Sequence, residues 1–109
     1  MLKKQNRLRR INKTKEAITY PTSLFTLKVL KGERDEKKFG FIVSKKVSKS
    51  AVLRNRTKRI LRSVVEDNIE KITSGQDFLL ISKKKLEWKQ KQEAKEALEN
   101  VFKKAKILK

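Results

Sequence analysis

Ten lysines and arginines fall between residues 37 and 65 of this 109-residue chain, and no aspartate or glutamate interrupts them. They are Lys37, Lys38, Lys45, Lys46, Lys49, Arg54, Arg56, Lys58, Arg59 and Arg62, and they carry +10 of the chain's formal +19. The chemistry open to such side chains is binding. A guanidinium makes paired, in-plane hydrogen bonds to two phosphate oxygens, and an ammonium supplies a point charge. In the densest part, Lys45 to Arg59, the charges are interleaved with Val47, Ala51, Val52 and Leu53. A disordered basic tail would not carry those apolar residues. The charge therefore belongs on folded structure, at fixed spacing, facing a polyanion.

Bond-making chemistry has little to work with. There is no histidine, which removes the commonest general base, and no cysteine, which removes thiolate metal sites and disulfides. Glu66 and Glu70 stand four residues apart and could together hold a hydrated Mg²⁺, but a solvated acidic face explains them equally well. Three glycines, at 32, 40 and 75, make no phosphate-binding loop. No apolar run is long enough to span a bilayer, so no membrane partner is expected. The basic N-terminus has no apolar segment behind it and does not read as a secretory signal. The expected location is cytoplasmic.

The elements that must position the cations can be read from periodicity. Residues 1–15 hold seven cations and no acid and read as a basic arm; residues 16–109 read as a single domain. A helix begun at Asn12 to Ile18 would be broken by Pro21. Leu24 to Leu30 reads as a strand. Phe39 to Val43 reads as a second strand, with Phe39, Phe41 and Val43 on one face; both of its faces are largely apolar, which suits a central position. A helix is expected from Ser50 or Ala51 to Lys71. Leu53, Thr57, Ile60, Leu61, Val64 and Asn68 recur at helical spacing, with Asn55, Lys58, Arg59 and Arg62 opposite. The loop from Lys45 to Ser50 leads into this helix's N-terminus, itself an anion site. Asp77 to Ser82 reads as a buried strand, and the order strand–helix–strand implies a parallel crossover. A last helix is expected from Leu86 to Ala105, with Trp88 capping the core. The phenylalanines read mainly as core, although one exposed aromatic on the sheet could stack an unpaired base.

From Phe39 to Arg59 the sequence F-G-F-I-V-S-K-K-V-S-K-S-A-V-L-R-N-R-T-K-R closely resembles the protein subunit family of bacterial ribonuclease P. Weaker resemblance lies in Asn6-Arg7-Leu8, Asp77 to Ser82 and Leu98 to Phe102. The resemblance implies an α+β, two-layer sandwich of a small mixed sheet with helices, containing a left-handed strand–helix–strand crossover. It implies the non-catalytic protein cofactor of a ribonucleoprotein endonuclease that removes 5′ leaders from precursor tRNA. Its partners would be a catalytic RNA subunit and precursor tRNA, with no protein partner implied, and Mg²⁺ would be held mainly by the RNA and the substrate phosphates. Carried over by position, Lys45, Lys46, Lys49, Arg54, Asn55, Arg56, Lys58, Arg59 and Arg62 bind RNA, and Phe41, Val43 and Lys45 are candidates for a cleft that holds the leader. The sequence departs from the family at Ser48, where glycine is usual, and at Thr14, Ala17 and Ile18, where the family's longer first helix carries aromatics. The alternative is a ribosomal or general structural RNA-binding protein, which would share the charge but not the R-N-R-x-K-R register.

Overall fold

A computed structural model describes residues 17–31, 37–72 and 75–105. The basic arm at 1–15 and most of the helix expected at Asn12 to Ile18 lie outside these residues. The described chain runs β1 (Ala17–Pro21), β2 (Phe25–Lys31), β3 (Lys37–Ile42), α1 (Ala51–Asn68), β4 (Gln76–Ser82) and α2 (Lys91–Lys104). Short 3₁₀ turns, Ile69–Lys71 and Trp88–Gln90, extend α1 and precede α2.

The four strands form one mixed sheet in the order β1-β2-β4-β3. β1 pairs antiparallel with β2, and β2 antiparallel with β4. β3 pairs parallel with β4 in the register Phe39↔Phe78 and Phe41↔Leu80. Parallel neighbours need a crossover, and α1 supplies it. Register puts Phe25, Leu27, Val29, Phe39, Phe78 and Leu80 on one face, where they are buried in a single core with Ile60, Leu61, Val64 and Val65 of α1 and Ala94, Leu98, Val101 and Phe102 of α2. Both helices thus cover the same face, giving the two-layer α+β sandwich. Phe78 is the hub: it stacks on Phe39 at 5.0 Å and meets Phe102 edge-on at 5.7 Å. Among the described residues no helix is long and apolar enough to cross a membrane.

Three expectations are corrected. β3 is an edge strand; β2 and β4 are the central ones. Phe39 and Phe41 face the helices, whereas Gly40 and Ile42 on the other face remain partly exposed. Ala17 to Pro21, expected to end a helix, form the other edge strand, where a proline at the strand end removes no interior ladder bond. Trp88 does not cap the core: it is 51% exposed, and the fully buried Leu86 fills that place. The last helix accordingly begins at Lys91. The Trp88–Gln90 turn before it is fixed by a reciprocal capping box between Glu87 and Gln90.

The ends of α1 are handled differently. Ser50 caps the N-terminus, its Oγ accepting the Leu53 N–H at 3.3 Å. No basic residue occupies the last turn. Instead Lys37, from the first position of β3, donates its ammonium to the carbonyls of Ile69 and, at 2.8 Å, of Ile72. A cation at this end complements the helix dipole. Lys37 is thereby engaged inside the fold.

Candidate nucleic-acid interface

The segment between β3 and α1 is built by short-range hydrogen bonds. The Ser44 carbonyl accepts the N–H groups of Val47 at 3.0 Å and Ser48 at 3.4 Å, closing a turn. Ser48 Oγ accepts the Ser50 N–H at 3.2 Å, and the Ser48 carbonyl accepts Arg54 Nη1 at 2.9 Å. Val43, buried, anchors the start of the loop. The loop therefore stands as a fixed shelf in front of the helix, with the side chains of Lys45, Lys46 and Lys49 exposed on it.

On α1 the expected phase holds. Thr57, Ile60, Leu61, Val64, Val65 and Asn68 are buried. Asn55 and Arg59 are exposed, and Lys58 half-buried. Thr57 and Asn68 are tolerated in the core because each donates to the carbonyl one turn back, Leu53 and Val64 respectively. Leu53, at the head of the stripe, is only half-buried.

The arginines are not equivalent. Arg54 braces the shelf through Ser48. Arg56 Nε donates to the Leu86 carbonyl at 3.1 Å. Arg62 lies with its guanidinium 5.4 Å from the centroid of the Phe41 ring, and its buried Nε has no hydrogen-bond partner. Arg62 was expected simply opposite the core stripe; it instead closes the groove between α1 and the edge strand by a cation–π contact. Arg59, by contrast, is exposed.

The exposed cations run from the loop before α1 onto the helix. Lys45, Lys46 and Lys49 stand at the helix N-terminus, and Asn55, Lys58 and Arg59 follow over the next turns. α1 carries no acid in its first turn. Positive side chains and the positive end of the dipole coincide, the arrangement that suits phosphate oxygens.

Of the three leader-cleft candidates, Lys45 is exposed, Phe41 is half-buried beneath Arg62, and Val43 is buried. Phe41 shares the helix-bearing face with Phe39. On the opposite face, Thr26, Lys28, Ile42 and Ile81 are partly exposed around the buried Leu30 and Leu79. Among the described residues no three carboxylates gather into a group able to hold a metal ion.

The sequence reading missed the turn after β4. The expected strand stops at Ser82 and the expected helix starts at Leu86, with no element assigned between them, yet Leu86 is tied to α1 twice: its N–H donates to Thr57 Oγ1 at 2.9 Å, and its carbonyl receives Arg56. The one available sign was a triple lysine followed by a leucine and a tryptophan.

A family model described as Ribonuclease P matches residues 1–106. The ribonuclease P protein component of Fusobacterium nucleatum is 39% identical over 82 residues, spanning 72% of this chain and 73% of that protein. The Bacillus velezensis component is 32% identical over 113 residues, spanning 99% and 96%. Among solved structures, the RNase P protein from Thermotoga maritima superposes with a TM-score of 0.70 at 26% identity, covering 82% of this chain and 84% of that one. That from Staphylococcus aureus gives 0.68 at 26% identity, covering 99% and 95%. The motif around Arg54-Asn55-Arg56, the mixed sheet with its helical crossover and the near-complete match agree, and the chain belongs to the ribonuclease P protein family.

Proposed function

We propose that this chain is the protein cofactor of a ribonucleoprotein that removes 5′ leaders from precursor tRNA, with the chemistry carried by the partner RNA. The observation that carries the reading is the fixed shelf and helix face bearing Lys45, Lys46, Lys49, Arg54, Asn55, Arg56, Lys58, Arg59 and Arg62 in a chain of this family. Fixed cations neutralise phosphates that would otherwise repel one another, so the protein draws two RNAs together at ionic conditions that would keep them apart. Asn55 both donates and accepts, and it sits among the charges without adding to their repulsion. Mg²⁺ belongs, in this reading, to the RNA and the substrate phosphates: the side chains on this face bind anions, not metal. Arg54 and Arg56 act partly by holding the face in shape, and Arg59 with the three shelf lysines makes the direct contacts. The leader reading rests on Lys45 at the end of β3, beside the half-buried Phe41. The partly exposed strip of Thr26, Lys28, Ile42 and Ile81 is the other sheet surface able to meet unpaired bases. A cytoplasmic location suits these partners.

The test adds the protein to its cognate catalytic RNA and scores cleavage of precursor tRNA at low Mg²⁺. Cleavage should appear only when both are present, and Arg59→Ala should raise the Mg²⁺ required. Site-specific cleavage by RNA-free protein would sink the reading.

A further inference from the structure

We propose that Trp88 is a stacking platform for an unpaired base of the catalytic RNA, mounted beside α1 by Leu86. The inference rests on the RNA-binding reading above and adds to it a contact outside the loop and helix already described.

Trp88 is 51% exposed, although tryptophan has more apolar surface to bury than any other residue type. It is not loosely held. Leu86, two residues earlier, is fully buried and hydrogen-bonded through both its N–H and its carbonyl to Thr57 and Arg56 of α1. The turn carrying the ring is closed by the Glu87–Gln90 capping box, in which Gln90 Oε1 accepts the Glu87 N–H at 3.0 Å. A turn so held loses little further backbone entropy on binding.

Its surroundings select the partner. Residues 83–91 contain five lysines and one glutamate. Lys84, Lys85 and Lys89 are exposed; Lys89 lies 3.4 Å from Glu87, and this solvated pair screens little of the charge. Val52, one turn before Arg56 on the same side of α1, is 76% exposed. An exposed aromatic in a lysine-rich turn is a combination that can hold a nucleobase and its flanking phosphates. Through Leu86 the site is continuous with the start of α1, so the RNA that covers Arg54 to Arg59 is the one within reach.

Trp88 is the chain's only tryptophan, so its emission, excited selectively over Tyr20, reports on the site directly. The full chain is titrated with catalytic RNA while binding is followed separately by filter retention. Quenching should saturate at the same RNA concentration as binding. Trp88→Ala should bind about 5- to 150-fold more weakly, the equivalent of about 1–3 kcal/mol per stacked base. Trp88→Phe should recover part of the loss, and thermal melts should show both variants folded. Trp88→Lys removes the ring and adds charge, so a stack predicts weaker binding while a purely electrostatic surface predicts equal or tighter binding. Unchanged emission at saturating RNA, or wild-type affinity of Trp88→Lys, overturns the proposal. A response only on adding precursor tRNA overturns the assignment to the catalytic RNA. If the wild-type protein retains no catalytic RNA even at low salt, the subunit reading itself fails. That outcome is distinct from a silent Trp88 in a protein whose binding still depends on Arg59.

Discussion

Arg59 and Arg62 stand three residues apart on one helix and do different work. Arg59 is exposed and its charge is available to a ligand; Arg62 lies over Phe41 with its Nε buried. Arg59→Ala should weaken binding to the catalytic RNA by about 1.5–3 kcal/mol, the range for a charge-assisted hydrogen bond, and leave the melting temperature nearly unchanged. Arg62→Ala should also lower stability, by about 0.5–2 kcal/mol, as the cation–π contact and the packing of its alkyl stem are lost. Melts and RNA titrations on both variants check this; equal stability of the two would show that the Phe41 contact contributes nothing. Sequence spacing placed both arginines opposite the core stripe; that holds for the exposed Arg59, while Arg62 is turned onto Phe41. What spacing could not show is that β3 runs along one flank of α1 and offers Phe41 to Arg62, because that neighbour is set by tertiary packing. For Asn55 and Arg59 the spacing predicted exposure, and both are exposed.

At the scale of elements, α1 is held by long-range ties that its own sequence does not announce. Thr57 sits in the apolar stripe, and its hydroxyl links the helix to Leu86. Thr57→Val keeps the shape but leaves the buried Leu86 N–H without a partner, so chemical denaturation should show a loss of about 1–3 kcal/mol. Because the same tie mounts the Lys84–Trp88 turn, hydrogen exchange at Leu86 should rise more than at Leu61. Lys37 supplies the cation missing from the last turn of α1. Lys37→Met should destabilise the fold by roughly 0.3–2 kcal/mol, with the difference shrinking in high salt; a salt-independent difference would assign the effect to packing alone. The helix was legible by its helical period, β2 by a loose alternation, and β4 by the continuous apolar run Phe78 to Ile81. β1 was not: its five residues include a proline and only one large aliphatic, Ile18, and its pairing with β2 is what makes it a strand. The edge position of β3 was hidden for a related reason. Apolar residues on both faces suggested a central strand, yet in β3 only Phe39 is buried, and Gly40 and Ile42 on the face away from the helices stay partly exposed.

For the whole molecule, the decisive quantity is a formal charge of +19 on 109 residues, with the positive half of α1 at its positive dipole end. Both features oppose folding in isolation, since like charges repel and no acid stands in the first turn to meet the free N–H groups. The acids Glu66 and Asp67 sit near the other end, where Lys91 pairs with Asp67 at 3.1 Å. Stability and binding are therefore linked: a polyanion that occupies the shelf and helix face relieves the repulsion in the folded state and has far less to bind in the unfolded one. At about a hundred times its Kd such a ligand adds about 2.7 kcal/mol, which for a domain of this size raises Tm by roughly 10–20 °C. The same contacts make affinity steeply salt-dependent. Six phosphates neutralised give a log–log slope of roughly −4 to −5. Both effects should appear together when the free protein is melted with and without catalytic RNA across a salt series: a large upward shift at low salt that fades as salt rises, while the melt of the free protein moves the opposite way as its self-repulsion is screened. A Tm that RNA leaves unmoved, or a shift indifferent to salt, would mean that the basic face of α1 is not where the RNA binds.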